Sequence, residues 1–196
     1  MNHGMAATGS SQGPSETLSP ALPTSIEEAA EELLRFCCDA DLKIAMAESC
    51  TGGLLASLLT DVEGASHAFE RGFVVYSEDA KCELLGIARQ QIDECGAVSR
   101  DVVIAMARGA LEQSRADIAL AVTGYAGATP DGGEAGEVHF ACARRDGIIA
   151  YREEHFGDIG RGPIRIAALG VALQMMSDAV SIVRSGHKDD SDAFEY

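Results

Sequence analysis

The spacing of apolar residues switches between a helical and a strand rhythm several times between residues 25 and 184. Ser25 followed by Glu27 and Glu28 is a polar helix start, and Ala29, Leu33, Leu34 and Cys37 continue it at three- and four-residue spacing. Lys43–Ala47 is a short apolar run, the form of a buried strand. Thr51–Leu59 then reads as a helix with Gly52 and Gly53 in its first turn. Gly72–Tyr76 is the next predicted strand, followed by a short helix over Asp79–Leu85. Ser99, with Asp101 and Val102 behind it, opens a helix that runs to about Ser114 on Val103, Met106, Ala107 and Ala110. Asp117–Thr123 is again a buried strand, and Gly124–Gly136 is a loop with five glycines and one proline. Val138–Arg144 and Ile148–Phe156 flank Asp146-Gly147, a type I′ hairpin signal. Ile164–Val183 closes the pattern as an amphipathic helix.

Helices and strands thus alternate, with one hairpin near the end. That order predicts an α/β domain, a mixed sheet covered by helices on both faces in three α/β/α layers. It leaves the strand order open. Residues 1–24 are rich in Ser, Thr, Gly, Pro and Ala and predict a flexible tail, because they bury too little to offset ordering entropy. Residues 185–196 are polar and acid-rich and predict a second one, leaving a single folded unit over 25–184.

Composition narrows the partners. The net charge of −16 argues against nucleic acid and against a membrane surface, both of which are held by clustered cations. It does not exclude an anionic small molecule, which a few local cations can hold. No apolar run reaches the ~18–20 residues of a membrane span, and Met1–Pro20 has neither the basic start nor the apolar stretch of a signal peptide. The six cysteines form no CxxC pair and lie in apolar segments, as reduced thiols do. A cytoplasmic protein with no metal and no cofactor is expected.

Ligands in such folds collect at the carboxyl ends of strands. Two segments occupy that position, Ala47-Glu-Ser-Cys-Thr-Gly-Gly53 and Val122-Thr-Gly-Tyr-Ala-Gly127. The first sets Ser49, Cys50 and Thr51 at a helix start, where free N–H groups can bind an anion or a developing oxyanion and the glycines let a ligand approach. Ser49 or Thr51 would serve equally as a plain helix cap. No GxSxG elbow or SxxK motif surrounds Ser49. Of the histidines, His3 and His187 lie in the tails and His67, His139 and His155 on or near strands, which gives a Ser-His-Asp triad no support. Lys81 is the better base, a short step beyond Tyr76. It would have to fall from about 10.4 toward ~7–8, at about 1.4 kcal/mol per pKa unit, through burial or a nearby cation. Cys50 is a rival nucleophile without a paired histidine. The Gly124–Gly136 loop matches neither a Walker A motif nor GxGxxG, and reads either as a cradle for phosphate or sugar or as a surface turn.

Ala47-Glu-Ser-Cys-Thr-Gly-Gly-Leu-Leu-Ala56 resembles the signature of the C-terminal domain of the competence/damage-inducible protein CinA. Gly72-Phe-Val-Val-Tyr-Ser77, Ala80-Lys81, Leu84-Leu-Gly86, Gly96-Ala-Val-Ser99, Met106-Ala-Arg-Gly-Ala110 and Ala121-Val-Thr-Gly124 continue the likeness in order, over about residues 26–180. The resemblance implies hydrolysis of nicotinamide mononucleotide to nicotinic acid mononucleotide and ammonia. It implies Ser49 as nucleophile, Lys81 as general base and Tyr76 as a proton-relaying or positioning partner. Thr123 would contact the substrate, as would Cys50, Thr51, Gly52, Gly53, Gly124, Gly127 and one of Arg161 and Arg165, whose guanidinium suits a phosphate. The family's nucleotide-pyrophosphatase-like N-terminal domain has no counterpart in this sequence, so a stand-alone, self-associating form is expected. Two segments depart from the family pattern. The loop Ala126–Gly136 is shorter and is followed by Glu137 where Thr is common, and the Gly-Asp-Arg piece reads Gly157-Asp-Ile-Gly-Arg161. Two alternatives stay open: an amidase for another pyridine nucleotide amide, and a non-enzymatic interaction protein of the competence or DNA-damage response.

Overall fold

Alternation of large and small side chains along the inner strands sets the shape of the domain. The structure, a computed structural model, describes residues 22–127 and 132–191. Strands β1 (Ile44–Glu48), β2 (Phe69–Val74), β3 (Ile118–Gly124), β4 (Glu137–Arg144) and β5 (Ile149–His155) form one sheet in the order β2-β1-β3-β4-β5. β1 is parallel to β2 and β3, while β4 and β5 run antiparallel to their neighbours. One face of the three inner strands presents Ile44, Met46, Ile118, Leu120, Val122, Val138, Phe140 and Cys142. The other presents Ala45, Ala47, Ala119, Ala121, Ala141 and Ala143. The pleat alone produces that division, since neighbouring residues point to opposite faces. Both faces are buried, as the predicted three-layer arrangement requires.

Helices α1 (Thr24–Asp39), α2 (Leu54–Thr60) and α6 (Arg161–Ser191) cover the face of large residues, and α3 (Glu78–Leu85), α4 (Arg89–Cys95) and α5 (Arg100–Glu112) cover the alanine face. The shallow alanine surface seats Val103, Met106, Ala107 and Ala110 of α5. Gly109 brings α5 against the end of α3: a Cβ there would lie 2.2 Å from the Leu85 carbonyl oxygen. Gly109→Ala is therefore expected to destabilise the domain by about 1–3 kcal/mol, against the ~1 kcal/mol gain usual for alanine over glycine in a helix. Urea unfolding of the variant reads the sign directly.

Several elements differ from the sequence expectation. Gly52 (φ 61°) and Gly53 (φ 89°) are left-handed and precede α2 rather than form its first turn, so the helix starts at Leu54. β2 ends at Val74, which leaves Tyr76 in the connection to α3. The sequence pattern missed α4, because only Ile92 on it is buried and one apolar position has no period. The Asp146-Gly147 turn is not type I′. Only Gly147 is left-handed (φ 89°), and Asp146 accepts the N–H of Ile148 (3.1 Å) within a three-residue loop closed by the Arg144–Ile148 pair. Helix α6 continues to Ser191, through the start of the segment expected to be a tail, while most of the N-terminal segment and residues 192–196 lie outside the described residues. Its stretch Arg161–Val183 is long and apolar enough to cross a membrane, with a mean hydropathy of 1.7. Here it instead turns Ile164, Ala168, Leu169, Ala172, Leu173, Met176 and Val180 into the core.

Candidate active site

The connection β1–α2–β2 leaves β1 toward one side and β3 lies on the other, so the strand order reverses between β1 and β3. Loops diverge there and open a cleft at the carboxyl ends of the strands. It has a volume of about 350 Å³ and is lined by Ser49 and Cys50 after β1, Tyr76 and Lys81 around the start of α3, and Thr123–Gly127 at the end of β3, with Ala97, Val98 and Arg161. In a chain of net charge −16, its described lining holds two basic side chains, Lys81 and Arg161, and no carboxylate. A hollow of about 480 Å³ between Leu85 and Glu112 brings together no such nucleophile and base.

Each half of the central pair is held by backbone bonds. The Ser49 N–H donates to Val122 O (3.0 Å), fixing the residue to β3. Ser77 caps α3 by accepting the Ala80 N–H (3.1 Å), which starts the helix so that Lys81 lies in its first turn. Lys81 is only 2% exposed. Its Nζ donates to Ser49 Oγ (3.1 Å) and to Val75 O (3.1 Å), and no carboxylate forms an ion pair with it among the described residues. Burial lowers its pKa below the usual lysine value; the Cys50 thiol and Glu78 oppose this more weakly. Lys81 is thus an amine with a reduced tendency to carry a proton, in contact with a serine hydroxyl.

Cys50 is adjacent, but burial pushes its thiol up to about 12, and a helix start does not activate it. Tyr76 is 66% exposed, and its hydroxyl accepts from Arg161 Nη2 (3.4 Å) at the mouth rather than meeting Lys81. Thr123 is buried and donates to Ala97 O (3.1 Å). Of the residues expected to touch substrate, Cys50, Thr123, Gly124, Gly127 and Arg161 line the cleft. Thr51, Gly52, Gly53 and Arg165 do not: Arg165 donates through Nη2 to Thr51 O and braces the Ser49 turn from behind.

One sequence expectation is corrected by Glu48. The N–H groups at the start of α2 are not free: the buried Glu48 carboxylate accepts from Gly53 (3.1 Å), Leu55 (3.1 Å) and Ala56 (2.8 Å). Gly52 N–H donates to Ser49 O (3.1 Å) and Leu54 N–H to Thr51 O (3.3 Å). Within the turn, the N–H groups of Cys50 and Thr51 meet no oxygen among the described residues. Sequence reasoning missed Glu48, although an acid directly before the Ser-Cys-Thr-Gly-Gly turn was the available signal. It also missed Ala97 and Val98 in the lining, while Tyr125 and Ala126 belong to the segment that it places at the strand ends.

Away from the cleft, His139 lies between Glu137 and Glu153. Its Nε2 is 3.0 Å from Glu137, while its Nδ1 is 2.8 Å from the Tyr151 hydroxyl and 3.8 Å from Glu153. One ligand atom from each of the three residues lies within 4.8 Å of the other two.

The sequence profile of the CinA C-terminal domain matches residues 26–180. The nicotinamide-nucleotide amidohydrolase PncC of Enterobacter agglomerans is 45% identical over 136 residues, covering 67% of this chain and 80% of that protein. A CinA-like protein of Chlorobium limicola is 47% identical over 172 residues, and this chain spans 39% of its length. The crystal structure of the competence/damage inducible protein CihA from Agrobacterium tumefaciens superposes with a TM-score of 0.78 at 41% identity, covering 83% of this chain and 99% of that one.

Proposed function

This chain belongs to the CinA C-terminal domain family, and from that premise we propose that it hydrolyses the carboxamide of nicotinamide mononucleotide through a serine–lysine pair. The observation that carries the mechanism is the 3.1 Å contact between Lys81 Nζ and Ser49 Oγ, made by a buried lysine with no carboxylate partner among the described residues. Amidohydrolase relatives such as the Enterobacter agglomerans protein support the reaction class.

Neutral Lys81 takes the Ser49 proton as Oγ attacks the carboxamide carbon, and the C=O electron pair moves onto oxygen. The Cys50 N–H, which meets no oxygen among the described residues and belongs to a residue that lines the cleft, is the donor available to that oxyanion. Protonated Lys81 then gives its proton to the departing nitrogen. Ammonia leaves, and the acyl group remains as an ester on Ser49. Lys81 next takes a proton from water as the water oxygen attacks the ester carbon, and returns that proton to Ser49 Oγ as the C–Oγ bond breaks; the acid product gives its own proton to solvent and leaves as the carboxylate. Val75 O keeps Nζ in position through both half-reactions. Arg161, at the mouth and paired among the described residues only with the Tyr76 hydroxyl, is the cation suited to the substrate phosphate. Arg165 serves the turn instead.

The test is ammonia release by the purified chain from nicotinamide mononucleotide, its riboside and free nicotinamide. Turnover of the nucleotide is expected to exceed that of the riboside by tenfold or more, because only the nucleotide offers Arg161 a phosphate. Equal turnover of all three would remove the nucleotide from the proposal, and no ammonia from any would remove the amidase.

A further inference from the structure

Among the elements around Ser49, the most heavily bonded side chain belongs to a residue with no part in the chemistry above. The pleat of β1 sends Ile44, Met46 and Glu48 toward α2, and sends Ala45 and Ala47 to the opposite face. Glu48 is 1% exposed, and its two oxygens accept three N–H groups, those of Gly53, Leu55 and Ala56. These bonds close the loop formed by Ser49 through Gly53. The left-handed glycines make that loop short enough for the residue before the serine to reach the helix after it. The Glu48 main chain acts on the other half of the pair. Its carbonyl accepts the Val75 N–H (2.8 Å), and the Val75 carbonyl accepts from Lys81 Nζ (3.1 Å).

We infer that Glu48 is a positioning residue for the serine–lysine pair: its carboxylate locks the Ser49 turn onto α2 and so holds Oγ in line with Lys81 Nζ. The inference rests on the serine–lysine reading. Two features separate this role from an ordinary helix cap. The anchored segment is the five-residue turn that contains the nucleophile, and the same residue's carbonyl fixes the strand segment that orients the base. A further consequence is that Glu48 takes up N–H groups at the start of α2, so the donor left beside the cleft is that of Cys50, which meets no oxygen among the described residues.

Glu48→Gln keeps the shape but replaces one acceptor oxygen by a donor NH₂, which opposes at least one of the three N–H groups. Two readouts are needed: steady-state deamidation, and the rate at which a fluorophosphonate labels Ser49, located by mass spectrometry. The second reads the nucleophile directly and does not depend on which amide is the substrate. Glu48→Gln is expected to lower kcat by about 10–100-fold and the labelling rate by a similar factor, with KM within about threefold. Leu33→Ala, a core variant on α1, serves as a stability-matched control and is expected to keep both rates within about twofold below its melting temperature. Should Glu48→Gln fail to fold, Glu48→Asp, one methylene short of reaching all three donors, is expected to fold and to lose several-fold in labelling rate. A labelling rate within twofold of wild type in a folded Glu48 variant overturns the inference, as does an equal loss in Leu33→Ala. A wild-type chain that is labelled at Ser49 but releases no ammonia removes the amidase reading and leaves the labelling comparison to decide the role of Glu48.

Discussion

Replacing Ser49 by alanine is expected to lower ammonia release from nicotinamide mononucleotide by about 10³-fold or more, with little change in stability. Neighbouring groups offer no substitute. The Cys50 thiol is held as thiol at neutral pH by burial, and Thr51 lies outside the cleft with its Oγ buried and without a hydrogen-bond partner among the described residues. The fold should tolerate the change, because Lys81 Nζ keeps its bond to Val75 O and the main chain of residue 49 keeps its bond to Val122. Loss of the single neutral hydrogen bond from Lys81 costs about 1 kcal/mol. Coupled ammonia detection, with a urea melt as control, checks both statements. Turnover within tenfold of wild type would place the nucleophile elsewhere.

The second large effect concerns Lys81. Lys81→Met, close in length and without the amine, is expected to reduce kcat by about 10²–10⁴-fold, the range for removal of a general base. In the wild-type chain, activity should rise with pH as Lys81 loses its proton, and the midpoint should fall below the ordinary lysine value because burial disfavours the charged amine. The same shift governs stability. Between the lowered folded-state pKa and the ordinary value of about 10.4, the unfolded chain binds more protons at residue 81 than the folded chain does, so stability rises with pH across that interval. At lower pH the cost of burying a charged amine is present in full. Lys81→Met lacks this dependence. Wild type should therefore gain stability relative to the variant between pH 7 and pH 10, read as the difference in unfolding free energy from urea titrations. A difference that stays constant over that range would show that the lysine is not perturbed.

Much of the domain was legible in the chain because its signals are local. The short apolar runs in Lys43–Ala47 and Asp117–Thr123, the three- and four-residue spacing in α1 and the Ser99 cap each depend on neighbours within a few positions. The pieces that failed are those whose form is decided by distant contacts. Type I′ geometry at Asp146-Gly147 gave way to a longer turn closed by the Arg144–Ile148 pair, and α4 holds its place through one buried side chain, Ile92. At the site, the types Ser49, Tyr76, Lys81 and Thr123 were picked out in sequence together with a family likeness, but their spacing of up to 74 positions carries no geometry.

What the sequence determined by itself is therefore the α/β class and the buried inner strands, since backbone period is a property of adjacent residues. The tertiary structure alone decided that Lys81 is buried against Ser49 and not solvated, that Glu48 occupies the helix start expected to receive an anion, and that Arg161 faces the cleft while Arg165 braces it. Burial and charge pairing depend on which surfaces meet when the sheet and its two helical layers close, and residues far apart along the chain enter that contact together.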